Sequence, residues 1–371
     1  MYRACSFCYN SSLVYQVCTK MSNSKRLLFE TLEPREVPAG LIGPFTVHES
    51  YTVITPPLVA VGSGLGGGEV RVFDPYSGEQ TLELFPFGRD FTGGVNVGFG
   101  GLSPDGTREI VASVASGGGP RVVVLDGSTG VQLRSFFAYE STFTGGVNIA
   151  VREDNYEIIT GAGPGGGPHV KVFDGQTFAE LSSFYAYDPH FAGGVSVAEL
   201  PVFGSFEEIV TGAGPGGGSN IRIFNTSNGE LLMSFNAFES SFAGGVSVAA
   251  AFLPGSRSGY EIIVGAGAGG GPRVCAFDRN TGLEIMSIFA FDGTFTGGVQ
   301  VASNGLVPGT YGEIIVGSGQ GGTSKIAAFS GLTWALDGSL MPFDATFTGG
   351  VSLAIAGVRS SVYYPPPPPV P

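Results

Sequence analysis

Five acidic residues occupy the same place in a recurring motif, three residues ahead of a Phe-(Thr/Ala)-Gly-Gly-Val sequence. They are Glu140, Asp188, Glu239, Asp292 and Asp344. If these residues share one surface, their carboxylates could bind a cation, an amine or sugar hydroxyls. The alternative is that each acid accepts backbone N–H bonds and fixes its own turn, and we favour it because repetition is what a structural role produces.

A catalytic centre has little support. The histidines are His48, His169 and His190, and no metalloprotease or nucleophile-elbow motif is present. The string Gly161-x-Gly-x-x-Gly166 has the dinucleotide-binding spacing, but a strand pattern follows it where that function needs a helix. We therefore predict a non-enzymatic protein without a cofactor. The alternative is a polysaccharide-acting enzyme that uses two of the five acids as acid and base.

The acids belong to a repeat that organises most of the chain. Glycine blocks recur 48 to 53 residues apart, and the Phe-(Thr/Ala)-Gly-Gly-Val motif recurs in step with them. The blocks begin at Gly66, Gly117, Gly165, Gly216, Gly269 and Gly321. Each repeat contains four short runs rich in β-branched and aromatic residues, bounded by Gly, Pro and Asp, and none has a helical period. Six such repeats predict an all-β, six-bladed β-propeller of four-stranded blades.

The two ends of the repeat region predict how the ring closes. The region begins at the second strand of the first blade, near Pro57, and ends with a spare first strand over 351–356. We expect this strand to pair into the first blade and to hide the edges that an open array would expose. We expect the aromatic residues of each fourth run to pack between blades, with a sugar-stacking platform as the alternative, and Phe143 and Phe191 to fill the gaps between blades.

The repeats resemble the FG-GAP, integrin-alpha type β-propeller family, most closely a glycine-rich bacterial subtype, over roughly residues 57–357. In that family the hairpin before the second strand is usually an Asp-x-Asn-x-Asp-Gly calcium loop. Here only Asp105 with Gly106 keeps part of that pattern, whereas calcium needs six to eight oxygen ligands. We favour a plain Asp-Gly turn at Asp105, with a calcium site as the alternative.

Composition and the terminal segments complete the domain prediction. A net charge of −13 argues against a nucleic-acid partner. No apolar run is long enough to span a membrane. We predict a misassigned extension over 1–20, a leader over 21–40, the propeller over 41–360 and a proline-rich tail over 361–371. The leader's Phe29-Glu-Thr-Leu-Glu-Pro-Arg35 segment resembles the Leu-Glu-Pro-Arg motif of planctomycete-type surface proteins, and this implies an exported or cell-surface location.

The sequence therefore predicts an extracellular or cell-surface repeat protein. We expect a monomer that binds a protein or polysaccharide partner through the face carrying the glycine loops, where weak contacts add through multivalency. A surface-layer component without a soluble ligand is a further alternative.

Overall fold

The structure is a computed structural model that describes most of the repeat region in full and parts of both termini as main chain only. The main chain is described over residues 5–10, 13–21, 27–29, 51–55, 57–356 and 359–363, except 76, 105, 154, 202–207, 254–259 and 304–311. Side chains are described within 57–356 alone. The chain divides into two compact units, of which the larger is Pro57–Gly357.

The smaller unit contains the described terminal strands. In chain order these begin with β1 (Cys5–Asn10), β2 (Leu13–Met21), β3 (Leu27–Phe29) and β4 (Tyr51–Thr55). Strands β1 to β3 form an antiparallel sheet in that order, and β4 pairs with the last described strand, Arg359–Tyr363.

The larger unit is a six-bladed β-propeller, as the sequence predicts. Blade 1 has β5 (Leu58–Ser63), β6 (Val70–Phe73) and β7 (Gln80–Leu84), and blade 2 has β8 (Val95–Gly100), β9 (Glu109–Val114), β10 (Arg121–Asp126) and β11 (Gln132–Phe137). Blade 3 has β12 (Val147–Arg152), β13 (Glu157–Ala162), β14 (His169–Asp174) and β15 (Glu180–Tyr185). Blade 4 has β16 (Val195–Leu200), β17 (Glu208–Ala213), β18 (Asn220–Asn225) and β19 (Leu231–Asn236). Blade 5 has β20 (Val246–Ala251), β21 (Glu261–Ala266), β22 (Arg273–Phe277) and β23 (Glu284–Phe289). Blade 6 has β24 (Val299–Ser303), β25 (Glu313–Ser318), β26 (Ile326–Ser330) and β27 (Leu336–Leu340).

The predicted ring closure is confirmed. The next strand, β28 (Val351–Ala356), becomes the innermost strand of blade 1 by pairing antiparallel with β5, from Val351 opposite Ser63 to Ala356 opposite Leu58. The inner strands of successive blades contact one another around the ring, including β24 with β28 and β28 with β8. This closure leaves no inner edge open to another chain.

The hydrophobic core is divided among the blade interfaces. Six clusters of buried residues each join two neighbouring blades, for example Ile221 and Ile223 of blade 4 with Ile262 and Val264 of blade 5. The second strands β9, β13, β17 and β21 are buried along their whole length. Burial on both faces explains their near-continuous apolar sequences, because blades cover both sides of each of these strands.

Candidate functional site

The glycine blocks and the Phe-(Thr/Ala)-Gly-Gly turns meet on one face of the propeller, which we call the loop face. Each block lies in the hairpin between the second and third strands, and each turn connects one blade to the next. The first glycine of every block donates its N–H to the second residue of the turn that leaves its blade, as Gly165 N does to Ala192 O at 2.9 Å. The residue two positions before each block donates its N–H to the turn that enters its blade, as Gly163 N does to Gly146 O at 2.9 Å. Both bonds recur in all six blades, so the loop face is a closed ring of backbone hydrogen bonds.

Two glycines show why this ring favours glycine over larger residues. A Cβ atom at Gly163 would lie 2.1 Å from the carbonyl oxygen of Gly145, so the two backbones approach closely there; blade 2 alone among the six has a residue with a Cβ, Ala115, at the corresponding position. Gly165 has open space around it but a φ of 91°, a conformation that other residues rarely adopt. Backbone approach therefore explains the glycine blocks, in agreement with the structural interpretation of the dinucleotide-like string.

The signature phenylalanines fill the gaps between blades, as predicted. The ring of Phe143 lies against Gly145 of its own turn and against Gly166 of the glycine block in the blade that follows. Its edge also meets Tyr139 of the preceding blade, with 5.8 Å between the ring centroids. Each connecting turn is thereby packed against two blades, so the backbone that carries the acids is held in place.

Three of the five candidate acids accept hydrogen bonds within their own turns. Asp292 Oδ1 accepts from Thr294 N at 2.9 Å and from Thr294 Oγ1 at 2.6 Å, and Asp344 makes the same pair of bonds with Thr346. Asp188 Oδ1 accepts from His190 N at 2.8 Å. The donated bonds hold the pKa of each of these carboxyls below its ordinary value of 3.8. All three are exposed and ionised near neutral pH.

The carbonyl oxygen of all five acids accepts from the N–H of the phenylalanine three residues later, as Glu140 O does from Phe143 N at 2.8 Å. The side chain of Glu140 is exposed. Glu239 lies 3.4 Å from the guanidinium of Arg273 in the next blade and remains 75% exposed. Each of the five acids stands in a different connecting turn, so the loop face carries one anchored or exposed carboxylate per turn around five of the six blades. Their proposed role as ligand-binding residues stays a prediction.

The prediction that the aromatic residues of the fourth runs pack between blades is only partly correct. Tyr139 and Tyr187 pack between blades, where their hydroxyls donate to the carbonyls of His169 and Asn220 at 2.9 Å. The rings of Phe137, Tyr185 and Phe289, by contrast, are 58%, 52% and 64% exposed. More than half of each of these three residues is therefore open to solvent.

A polar cavity on the axis was not anticipated from the sequence. It has a volume of about 60 Å³ and is lined by the second residue of each inner strand. These residues are Asn96, Asn148, Ser196, Ser247, Gln300 and Ser352. Several of them join blades: Asn96 Nδ2 donates to Val147 O and Asn148 Nδ2 to Val195 O, both at 2.8 Å. The sequence feature that could have revealed this cavity is a polar residue at the second position of every inner strand, between apolar neighbours.

No metal centre stands out in the described part of the chain. Its described residues contain no group of three or more His, Cys, Asp or Glu side chains placed to hold a metal ion. Asp105, the candidate calcium ligand, lies outside the described residues, as does the leader motif.

Among the described residues, no helix is long and apolar enough to cross a membrane.

Comparisons with known proteins support the fold and leave the function open. No family model and no curated protein matches the chain. A crystal structure of a protein of unknown function from Bacteroides caccae is similar over 81% of this chain and 99% of that one, with 14% identity and a TM-score of 0.52. The crystal structure of the RRP9 WD40 repeats is similar over 76% of each chain, with 14% identity and a TM-score of 0.48. The similarity to the Bacteroides caccae protein supports the fold alone.

Proposed function

We propose that this protein is a non-enzymatic, exported or cell-surface repeat protein that binds a protein or polysaccharide partner through the loop face. The observation that carries this proposal is the ring of backbone hydrogen bonds, which fixes five connecting turns and their acids in similar settings around the propeller. A rigid array of this kind loses little conformational entropy on binding, and its separate weak contacts add through multivalency.

The state of the acids supports binding over catalysis. A glycosidase needs one carboxylic acid whose pKa is raised, so that it can protonate the leaving group. The pKa values of Asp188, Asp292 and Asp344 are shifted downwards instead, because hydrogen-bond donors stabilise their ionised forms. Each acid also stands in its own turn on a different blade. An ionised carboxylate that accepts hydrogen bonds suits recognition of hydroxyl, amide or cationic groups.

The resemblance to the FG-GAP, integrin-alpha type family and the Leu-Glu-Pro-Arg motif of the leader support the cell-surface location. Antibody detection on intact source cells, compared with lysed cells, tests it. Signal from lysed cells alone would contradict the proposed location.

The binding proposal is tested by exchanging matched acids on the two faces. We expect the loop-face variant Asp188→Asn/Asp292→Asn/Asp344→Asn to lose most of its binding in solid-phase assays against purified cell-surface polysaccharides and proteins. The control, Asp126→Asn/Asp174→Asn/Asp278→Asn, changes three aspartates that make the same kind of turn at the opposite ends of the blades. Equal binding by both variants and the original protein would contradict a loop-face site.

A further inference from the structure

The three exposed rings of the fourth strands share a setting that the other blades lack. Each is the last residue of its strand, and an acid of the loop face follows three residues later. The pairs are Phe137 with Glu140, Tyr185 with Asp188, and Phe289 with Asp292. We call them the aromatic–acid pairs of blades 2, 3 and 5.

In blades 2 and 3 the third glycine of the block lies beside both the ring and the turn. At Gly167, a Cβ atom would lie 3.0 Å from Tyr185 Cε1 and 3.2 Å from the carbonyl oxygen of Pro189, which follows Asp188. At Gly119, the corresponding distances are 3.4 Å to Phe137 Cε1 and 3.5 Å to the carbonyl oxygen of Ser141, which follows Glu140. The ring therefore lies beside a bare glycine and next to the turn that carries the carboxylate.

Each exposed ring also has a nitrogen donor as its cross-strand neighbour. Arg121 pairs with Phe137, His169 with Tyr185, and Arg273 with Phe289. The His169 ring stacks on Tyr185 with 4.7 Å between the centroids and an interplanar angle of 21°, so it supports one face of that ring. Burial lowers the pKa of His169, so this side chain is neutral near pH 7.

We propose that these aromatic–acid pairs are subsites for a neutral polysaccharide. A sugar ring offers an apolar face that packs on an aromatic side chain, and its hydroxyls both donate and accept hydrogen bonds. At each pair an exposed aromatic ring supplies the apolar platform, the carboxylate accepts, and the Arg or His donates. The protein's net charge of −13 disfavours an acidic polymer. This inference rests on the proposed function and names the partner class for the same face.

The other three blades do not combine an exposed aromatic ring with an acid three residues later, so the proposed subsites are confined to blades 2, 3 and 5. In blade 1 the corresponding ring, Phe85, is covered by the guanidinium of Arg89 at 4.1 Å from its centroid, and Gly88 replaces the acid. In blade 4 Asn236 replaces the ring, and in blade 6 Met341 does so. A surface built to dock a protein would gather its apolar residues into one central patch, whereas these rings are separated one to a blade.

The test is affinity electrophoresis of the full chain in gels that contain hydroxyethyl cellulose, xylan, dextran or, as an acidic polymer, heparin. We expect retardation by at least one of the three neutral polymers and none by heparin. Phe137→Ala/Tyr185→Ala/Phe289→Ala should weaken binding by on the order of a hundredfold, from roughly fivefold per ring.

The matched control is Leu133→Ala/Leu181→Ala/Ile285→Ala. These exposed residues lie four positions before the three rings on the same side of the same strands, so the control removes apolar area and leaves the rings. It should bind like the original chain, and melting temperatures check that both variants fold.

Three results would overturn the inference: no retardation by any neutral polymer, unchanged binding by the ring variant, or equal losses in both variants, which indicate an apolar protein-docking surface. A different result distinguishes the proposed function from the polysaccharide assignment. If a protein partner binds and the loop-face aspartate variant releases it, the loop face is a binding face and only the polysaccharide assignment is wrong.

Discussion

On the loop face the five candidate acids are exposed, and three of them bond within their own turns, whereas on the opposite face a set of buried or nearly buried glutamates bonds to arginines, in part across blades. There, Arg152 of blade 3 is buried, and its Nη1 donates to Glu157 Oε2 at 2.5 Å. Its Nε lies 3.6 Å from Glu199 of blade 4. Arg279 of blade 5 bonds Glu208 of blade 4 in the same manner.

This difference shows how each face holds neighbouring blades together. The opposite face uses charged side chains for that purpose, and their removal from water makes each partner depend on the other. The loop face relies on a ring of backbone hydrogen bonds, to which the Glu239–Arg273 contact is added between two blades, so its acidic side chains remain exposed. Binding chemistry is therefore expected where the acids have no role between blades.

Replacing the buried arginine should give the largest effect on stability. Arg152→Met removes the guanidinium that contacts Glu157 and Glu199, so we expect the free energy of unfolding to fall by about 3–5 kcal/mol. Urea denaturation measures this change. Arg121→Met is the control, because Arg121 makes an exposed contact with Ser135, and it should cost less than about 1 kcal/mol. Similar costs at both positions would remove the contrast between the faces.

Glycine substitutions on the loop face should have the next largest effect. Gly163→Ala places a Cβ atom 2.1 Å from a backbone oxygen, so we expect a loss of about 2–4 kcal/mol in the free energy of unfolding. Gly165→Ala meets no atom within 4 Å but must adopt a φ of 91°, and it should cost about 1–2 kcal/mol.

Gly338→Ala is the control for both, since Gly338 has neither a close neighbour nor a positive φ. It should change stability by less than about 0.5 kcal/mol. If Gly163→Ala were as mild as this control, close backbone approach would not be what holds the loop face.

Titration of the exposed aspartates should give the smallest effect. Hydrogen bonds to Asp292 and Asp344 lower their pKa values in the folded state, so they stabilise the protein above the unfolded value of about 3.8, and this contribution is lost as the pH falls through the folded values. We expect Asp292→Asn/Asp344→Asn to be slightly less stable than the original chain at pH 7, and this difference to shrink as the pH falls below about 3.8. Unfolding measured across this range tests the sign, and a difference that grows on acidification would contradict it.

The number of repeats and the ring closure could be predicted from the sequence because both follow from the order of the motifs along the chain. The glycine blocks mark close backbone contacts and positive φ angles that favour glycine, and a spare strand after the sixth repeat can pair with the unfilled first blade. The two-residue alternation of Leu133, Ser135 and Phe137 shows that they share one side of a strand. It does not show how far blades diverge at that radius, so the exposure of Phe137 could not be read from the pattern.

The cross-blade pairs and the axial cavity escaped prediction for a related reason. Arg152 and Glu208 are 56 positions apart, yet Arg152 Nη2 donates to the Glu208 carbonyl at 3.3 Å, and only the ring geometry places them together. The axial residues were visible as polar positions in apolar strands, but one strand alone does not reveal that six such positions converge.

The pairing of β28 with β5 also affects the order in which the blades can be completed during synthesis. During synthesis the chain makes β5 first and its partner almost 300 residues later, so blade 1 remains incomplete until nearly the whole propeller has emerged. Joining such distant segments carries a loop-closure entropy that local hairpins avoid, and folds dominated by distant pairings form slowly. Until β28 arrives, the unpaired edge of β5 can accept the same strand from a second molecule. The last six residues of the ring thus decide whether the finished product is one propeller or two exchanged chains.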